Sequence, residues 1–469
     1  KHQPTEFNDL TIQISLFRPG PMKGNMIAPY LDGRQGFATP HYIHPDLKPI
    51  LEETFGVVIF HEHVLRILNT MTGCTLAKAD ELRRNLENPR SAPLVQKFFR
   101  AKAAERGYSK LVINEVWAIL EGFGSFGFCK AHGAAFALPT YQSAWLKTHH
   151  PTEFMAGLFT HDPGMYPRRL LLAEARRLGV RILPIDVNRS SREFRVEAAA
   201  PKTTDPNEPK HGVRMALTEI QGISEAELDR IVTEQPFETI TDFYRRARPS
   251  RRSLERLALI GALDELAART GQHTRGDILA RVRELNAIKS KPSNDDPSSM
   301  LDFEGLSFAS LTARSFESIP TGNPELSTEE RVRNELAYTG MDISQHQLEL
   351  YRPMLDEMGV VFSDELVNLR NKSEVLVAGV RVATQTPPMR SGKRVVFVSL
   401  DDGHGCSDST FFDEAQKRCS SILFNTKLLV IAGKTRRTGI RGVSIMAENA
   451  WDIRDLWRQW QANQGRSAG

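Results

Sequence analysis

The chain has 469 residues, of which 40% are hydrophobic, and its formal net charge of +4 makes it mildly basic. This length suits about three domains, and the absence of any apolar run near the roughly 18 residues of a membrane helix excludes a membrane-spanning protein. Its cysteines, Cys74, Cys129, Cys406 and Cys419, lack C-x-x-C spacing. This argues against zinc and is typical of reduced thiols in a cytoplasmic protein.

Helices dominate the predicted structure of the first 190 residues. The segment 46–73 reads as a helix, a short apolar run and a second helix, and 76–88 reads as a helix that exposes Arg83 and Arg84 together. The adjacent His61-Glu62-His63 resembles a metal-binding set. Histidines at i and i+2 diverge on a helix, however, and we expect no metal there.

A glycine-containing loop at 123–127 precedes a helix predicted over 131–147, in the segment FGSFGFCKAHGAAFALPTYQSAWLK. Pro139 is expected to kink this helix or to break one turn, and Leu138, Trp145 and Leu146 are available for packing. Lys130 and His132 lie where the loop meets the helix start. Cations there oppose the helix dipole, so we expect an anion nearby, and a phosphate group would serve.

Two basic clusters suggest phosphate binding. Residues 81–110 hold eight Lys or Arg against three acids, and residues 245–256 hold six Arg against one Glu. Clusters of this kind are the usual electrostatic footprint of nucleic-acid binding. A solvated helix face explains either cluster equally well.

Two glycine turns between predicted helices indicate a tandem helix-hairpin-helix over 191–288. The first turn contains Gly222 and Ile223, and the second contains Gly261. Ser224 with Glu227 three residues later predicts a capping box. The turn amides, with Arg251 and Arg252 in the connector, would hold DNA phosphates without reading bases. Ordinary capped helix pairs are the alternative.

The last third of the chain changes from helical to alternating periodicity. A polar linker over 289–329 and a helical connector over 330–372 precede five predicted strands within 373–455, which fit an OB-fold barrel that binds single strands. A polar tail is expected over 456–469. Six residues supply candidate charge and stacking for a strand: Arg381, Arg390, Lys393, Arg394, Phe397 and Phe411. Both phenylalanines also suit a core, and for Phe397 we favour the core.

Five ordered motifs resemble those of the C-family of bacterial DNA polymerases, which comprises the DNA polymerase III alpha subunits and their error-prone paralogues. These are SLFRPGPMKGNM, GVVIFHEHVLRI, DELRRNLEN, FGFCKAHGAAFALPTYQSAWLK with HPTEFMAGL, and RILPIDVN. Two features favour the SOS-inducible, error-prone branch over a replicative alpha subunit. They are the residues around the Lys-x-His motif and the end of the chain soon after the last strand. Since the chain starts at Lys1 rather than Met, we expect a piece of a longer polypeptide.

The resemblance assigns roles to residues. It makes 1–190 the fingers, which close on the incoming deoxynucleoside triphosphate. Arg83 and Arg84 match the family's triphosphate-facing pair, Lys130 and His132 match its Lys-x-His, and Tyr141 would lie beside the nascent base pair. The fold class implied is multidomain α+β, with helical fingers, a tandem helix-hairpin-helix domain and a five-stranded OB-fold.

The resemblance also implies an enzyme whose metal-binding part is elsewhere. The family holds Mg²⁺ with a Pro-Asp-x-Asp pair and a third Asp on an upstream palm domain, and no such pair occurs here. We therefore expect primer-template DNA, nucleotide and single-stranded template as partners, but no polymerisation by this chain alone. The stretch SSMLDF at 298–303 lacks the Gln of the family's clamp-binding pattern, so an inactive Y-family-like adaptor would supply contact with the sliding clamp. A non-enzymatic DNA-binding scaffold is the remaining alternative.

Overall fold

A computed structural model describes residues 2–16, 26–86, 88–123, 128–199, 210–289, 319–387, 394–437 and 442–467. The chain divides into two compact units, Lys1–His149 and His150–Gly469. None of the helices among the described residues is long and apolar enough to cross a membrane.

The first unit is built from α-helices. In chain order they are α1 (Phe7–Leu16), α2 (Ile27–Arg34), α3 (Lys48–Leu51), α4 (His61–Thr72), α5 (Leu76–Leu86), α6 (Ala92–Glu105), α7 (Lys110–Phe123) and α8 (Lys130–His149). The buried side chains of α4, among them Val64, Leu68 and Met71, recur at helical spacing and form a core with α5, α6 and α7. Gly73, with φ of +71°, ends α4 in a left-handed conformation.

Helix α8 packs separately against α1. Gly133 is buried at this contact, and a Cβ added there would lie 2.9 Å from the Ser15 hydroxyl oxygen. Of the two effects expected of Pro139, a kink or a broken turn, the break does not occur, because α8 continues through this residue. Leu138, Trp145 and Leu146 are exposed rather than packed. The close approach of α1 buries only a narrow stripe of α8, which includes Gly133 and Ala137.

The second unit begins with two helices and a small sheet. Helices α9 (Pro151–His161) and α10 (Arg168–Arg177) precede β1 (Arg181–Leu183), β2 (Arg195–Ala198) and β3 (His211–Arg214). The three strands form a sheet of order β1-β3-β2, with β1 parallel and β2 antiparallel to β3. Sequence analysis missed this sheet because strands of three or four residues are too short to show alternation.

The hairpin region shares its core with this sheet. It comprises α11 (Glu225–Glu234), α12 (Ile240–Ala247), α13 (Arg251–Leu259), α14 (Asp264–Ala268) and α15 (Arg275–Lys289). The predicted capping box of Ser224 and Glu227 is confirmed. The element before Gly222 is a 3₁₀ turn, Leu217–Glu219, and not the predicted α-helix.

The C-terminal domain is a closed barrel. After α16 (Thr328–Thr339) and α17 (Arg352–Glu357), the five predicted strands are confirmed as β4 (Glu374–Gln385), β5 (Val396–Asp401), β6 (Cys406–Phe411), β7 (Leu428–Arg437) and β8 (Val443–Asp452), in the order β4-β5-β6-β8-β7. Helix α18 (Asp413–Asn425), between β6 and β7, was not predicted.

The expected polar tail is a helix, α19 (Ile453–Ser467). Trp457 and Trp460 stack with ring centroids 4.9 Å apart and pack on a core that includes Leu348 and Met354. The tail's polar residues, such as Arg458 and Gln461, lie on the exposed side of this helix.

A buried carboxylate connects α10 to the barrel. Asp401 has 0% exposure at the end of β5, and its Oδ2 lies 3.1 Å from Arg169 Nη2 and 3.4 Å from His346 Nε2. Because the Leu348 N–H donates to His346 Nδ1, the other ring nitrogen is the donor to Asp401. Burial alone would raise the pKa of Asp401, but His346 and Arg169 lower it below its usual value.

We expect Asp401→Ala to destabilise the second unit by about 3–5 kcal/mol, because it leaves the largely buried Arg169 without its carboxylate. Urea unfolding measures this free energy. The matched control is Glu374→Ala in β4, whose side chain is 86% exposed and lies 3.6 Å from Lys434; its effect should stay below about 1 kcal/mol. Equal effects of the two variants would contradict a structural role for the buried pair.

Candidate functional site

The start of α8 is capped by a carboxylate from α4. Both Glu62 carboxylate oxygens accept the Lys130 N–H, at 3.1 and 3.0 Å. The two segments are also joined by a β-bridge between Phe60 and Phe128, where the His61 N–H donates to the Phe128 carbonyl over 2.8 Å. The predicted anion at this helix start is therefore supplied by the protein itself.

The Lys130 ammonium is held by a second carboxylate. Its Nζ lies 2.5 Å from Glu53 Oε2, and Glu53 Oε1 lies 3.3 Å from His63 Nε2. The Ile59 N–H donates to His63 Nδ1, so Nε2 is the donor toward Glu53. The hydrogen bond from His63 lowers the pKa of Glu53, and Lys130 lowers it further against the opposing effect of burial, to about 2.

These contacts explain the His61-Glu62-His63 sequence without a metal ion. His61 joins the α8 segment through its backbone, Glu62 caps α8, and the buried His63 orients Glu53. Sequence analysis missed Glu53, which lies on a 3₁₀ turn, Glu52–Thr54, ten residues before His63. Its sequence carries no motif that marks this role.

The two arginines of α5 share one carboxylate. Arg83 Nε lies 3.3 Å and Arg84 Nη2 lies 2.7 Å from Asp80. The Arg84 side chain is 72% exposed and that of Arg83 only 16%. Helix α4 packs on α5 and also caps α8, so it contacts both of the helices that carry the predicted basic residues. Arg84 is the arginine with more freedom to reach a ligand.

His132 and Tyr141 lie on the exposed side of α8. The His132 ring meets Phe128 and Phe136 edge-on, with centroids 5.2 and 4.7 Å apart. The Tyr141 ring makes an edge contact of 6.4 Å with Phe7. With Phe136 and Trp145 also exposed, this helix presents several aromatic rings to solvent.

Glycine is required at both hairpin turns, because the backbone has positive φ there and the neighbouring side chains leave no space for a Cβ atom. Gly222 has φ of +75° and Gly261 has φ of +83°. A Cβ at Gly222 would meet the Arg256 guanidinium, which donates to the Gln221 carbonyl, and one at Gly261 would meet Arg275. Both turns are therefore closed by arginine side chains.

Ile223 and the connector arginines have different surroundings. Ile223 is partly buried and packs on the core, so its side chain supports the turn. Arg251 and Arg252 are exposed at the start of α13, where Arg251 lies 3.2 Å from Glu255. The Ser250 side chain caps this helix. Arg390, Lys393 and the 298–303 stretch lie outside the described residues.

One carboxylate links the first hairpin to this basic helix start. Glu227 accepts the Ser224 N–H over 3.0 Å and the Ser250 N–H over 2.6 Å. Burial would raise the pKa of Glu227, but these hydrogen bonds from Ser250 and Ser224 lower it to about 2. The link to Ser250 is a tertiary contact that the capping-box pattern does not predict.

The two barrel phenylalanines lie in different surroundings, and only the position favoured for Phe397 is wrong. Phe411 is fully buried in the barrel core, so it cannot stack on a base. Phe397, for which a core position was favoured, is instead 37% exposed. The two residues lie on neighbouring strands, where Phe397 pairs with Thr410 and Phe411 with Val396. Their one-residue offset in register turns them to opposite faces.

Family comparisons match the two helical regions of the chain. A family model described as the bacterial DNA polymerase III alpha subunit finger domain matches residues 1–106, and one described as a helix-hairpin-helix motif matches residues 179–273. With the closed five-stranded barrel, these matches confirm the predicted fold class.

Three relatives of the chain share one description. The chain is 34% identical to the "Error-prone DNA polymerase" of Symbiobacterium thermophilum, 33% identical to that of Anaeromyxobacter dehalogenans and 30% identical to that of Bdellovibrio bacteriovorus. Each match covers 93% of this chain and 42%, 37% and 41% of the respective relative. The chain is a homologue of the error-prone DNA polymerases. The resemblance drawn from its motifs is confirmed, and the chain spans less than half the length of these relatives.

We expect Glu53→Gln to remove a pH-dependent part of the stability. Because the pKa of Glu53 is lowered from 4.5 to about 2, its stabilisation is present above about pH 4.5 and is lost as the pH falls toward 2. The difference in urea midpoint between the native chain and the variant should therefore shrink across this interval. Glu52→Gln, at the exposed neighbouring carboxylate, is the control. A constant difference between the native chain and Glu53→Gln would contradict the assignment.

Proposed function

We propose that this chain is the fingers-to-barrel portion of an error-prone, DNA-directed DNA polymerase that acts in translesion synthesis and damage-induced mutagenesis in the cytoplasm. The match of residues 1–106 to the finger domain carries this proposal. The similarity of 93% of the chain to error-prone enzymes supports it over a replicative alpha subunit.

On this proposal, the first unit binds the incoming nucleotide. Arg84 and Lys130 are cations whose protein partners, Asp80 and Glu53, are partly exposed carboxylates. A triphosphate carries more negative charge than one carboxylate, so it can displace both pairs and receive two charge-assisted contacts. Glu62 remains as the cap of α8 and keeps the Lys130 backbone in place. His132 and the Tyr141 ring then lie on the same helix, toward the bases.

The second unit would bind the DNA backbone. The exposed Arg251 and Arg252 stand at the start of α13, where helix amides favour phosphate. The positive-φ turns at Gly222 and Gly261 hold the hairpins in shape. Contacts of this type position a duplex without selecting its sequence, which suits synthesis across damaged templates.

The described residues do not fit a catalytic magnesium site. They contain no group of three or more His, Cys, Asp or Glu that could hold a metal ion. We propose that the carboxylates for Mg²⁺ lie in the part of the polymerase outside this chain, and that the chain alone does not extend a primer. An adaptor protein that supplies contact with the sliding clamp also belongs to this proposal.

We expect Arg84→Ala with Lys130→Ala, in the full-length polymerase, to raise the KM for nucleotide. The loss of two charge-assisted contacts, each worth about 1.5–3 kcal/mol, predicts a rise of at least about a hundredfold in KM or an equivalent fall in kcat/KM. Single-nucleotide incorporation measures both constants. Lys78→Ala, on the same helix as Arg84, is the control and should change neither. Unchanged kinetics of the double variant would reject the nucleotide-binding assignment.

We expect no primer extension by the 469-residue chain with Mg²⁺ and four nucleotides, although the chain binds the primed template. Electrophoretic extension and mobility-shift assays on the same samples separate the two properties. Adding the upstream portion should restore extension. Extension by the chain alone would show that it holds its own catalytic carboxylates, and absence of DNA binding would reject the polymerase assignment.

A further inference from the structure

The Lys130 ammonium is already occupied within the first unit. Its Nζ lies 2.5 Å from Glu53 Oε2 and 5.5 Å from the centre of the buried Phe60 ring. The side chains of Lys130 and Glu53 are each 34% exposed, so a solute can reach the pair. An ion pair that water reaches contributes little stability and opens readily. Any anion that binds this ammonium must therefore compete with Glu53.

Glu53 is held in place independently of Lys130. Its Oε1 lies 3.3 Å from Nε2 of the buried His63, whose Nδ1 accepts the Ile59 N–H over 3.2 Å. The Asn8 amide of α1 lies 3.5 Å from Glu53 Oε2. The hydrogen bond from His63 is the main cause that lowers the pKa of Glu53 to about 2, so the carboxylate stays ionised at neutral pH when Lys130 leaves it. Glu53 is therefore the fixed partner of the pair.

The Lys130 side chain is the partner that can move. Its backbone N–H is held by both Glu62 oxygens, at 3.1 and 3.0 Å, and this cap does not involve Glu53. A lysine ammonium is carried on a flexible stem of four carbons. The ammonium can therefore leave Glu53 for a nearby phosphate while the start of α8 stays where it is.

We propose that Glu53 is a positioning residue that competes with nucleotide phosphates for Lys130, holds the ammonium in the free protein and takes it back when the phosphates leave. This inference rests on the proposed function, because it takes Lys130 as a phosphate ligand. Only the fraction of molecules with an open pair binds phosphate through Lys130, so Glu53 lowers the apparent affinity.

Competition of this kind selects ligands by their charge. A triphosphate makes enough charge-assisted contacts to offset the opening of the Lys130–Glu53 pair, whereas a ligand with fewer phosphates offsets less of it. The alternative role for Glu53 is to orient Lys130 toward the phosphates. The two roles predict opposite signs, because loss of an orienting carboxylate weakens nucleotide binding and loss of a competing one strengthens it.

The test is single-nucleotide incorporation by the full-length polymerase. Glu53→Gln should lower the KM for nucleotide about threefold or more, since the neutral amide no longer competes for the ammonium. In a Lys130→Ala background the same substitution should leave KM unchanged. Glu52→Gln, at the exposed neighbouring carboxylate, is the matched control and should behave as the native enzyme. The Glu53 side chain is partly exposed and the amide has nearly the same size, so the variant should fold.

A second measurement follows the ammonium directly in the 469-residue chain. Acetylation of Lys130 by limiting N-hydroxysuccinimidyl acetate, quantified by peptide mass spectrometry, should be severalfold faster in Glu53→Gln than in the native chain. Lys78, which pairs with Glu81 over 2.8 Å on α5, is the internal control and should react at the same rate in both.

Three outcomes would overturn the inference: an unchanged or raised KM in Glu53→Gln, a lowered KM that persists without Lys130, or equal acetylation of Lys130 in the two chains. Each of these leaves the polymerase assignment intact. If Lys130→Ala alone left the KM for nucleotide unchanged, the phosphate-binding role of Lys130 in the proposed function would fail instead.

Discussion

A carboxylate without access to water fixes the arrangement of the second unit. Asp401 meets Arg169 from α10 and His346 from the segment after α16. An ionised group in a low-dielectric interior needs both opposite charge and hydrogen bonds, so these three positions constrain one another. On α10, the half-buried Arg176 donates to the carbonyl groups of Asp342 and Ile343 over 2.6 and 2.9 Å. A groove of about 500 Å³ lies where this attachment places α10 beside the barrel.

Carboxylates also organise the first unit, but they do so at its surface. Glu62 satisfies the start of α8, and Glu53 holds the Lys130 ammonium with the help of His63. The cap by Glu62 and the ion pair of Glu53 have different consequences for ligand binding. A helix cap is a fixed structural element, whereas a partly exposed ion pair exchanges readily with a ligand of higher charge. The same helix start therefore combines a rigid backbone with a side chain available for phosphate.

Sequence patterns predicted those structural elements that depend on residues close together in the chain. Alternation predicted the five barrel strands, and Ser224 with Glu227 predicted a capping box, because both depend on residues close in sequence. The expectation of an anion at Lys130 followed from the helix dipole, but its source did not. Glu53 and Glu62 precede Lys130 by more than sixty residues, and no spacing rule connects them. The error at Phe397 has a similar origin, since a strand pattern alone does not say which face meets the core.

The sequence by itself determined the fold class and the family, because ordered motifs and hydrophobic periodicity can be recognised without knowledge of tertiary contacts. Only the tertiary structure decided which charged side chains are neutralised and which remain available to a ligand. Arg84 is exposed and Arg83 is not. Lys427 faces a groove, whereas Arg169 is anchored by Asp401. The physical reason is that burial and pairing depend on residues brought together from distant parts of the chain. The free energy of a charge depends on those neighbours far more than on its own position in the sequence.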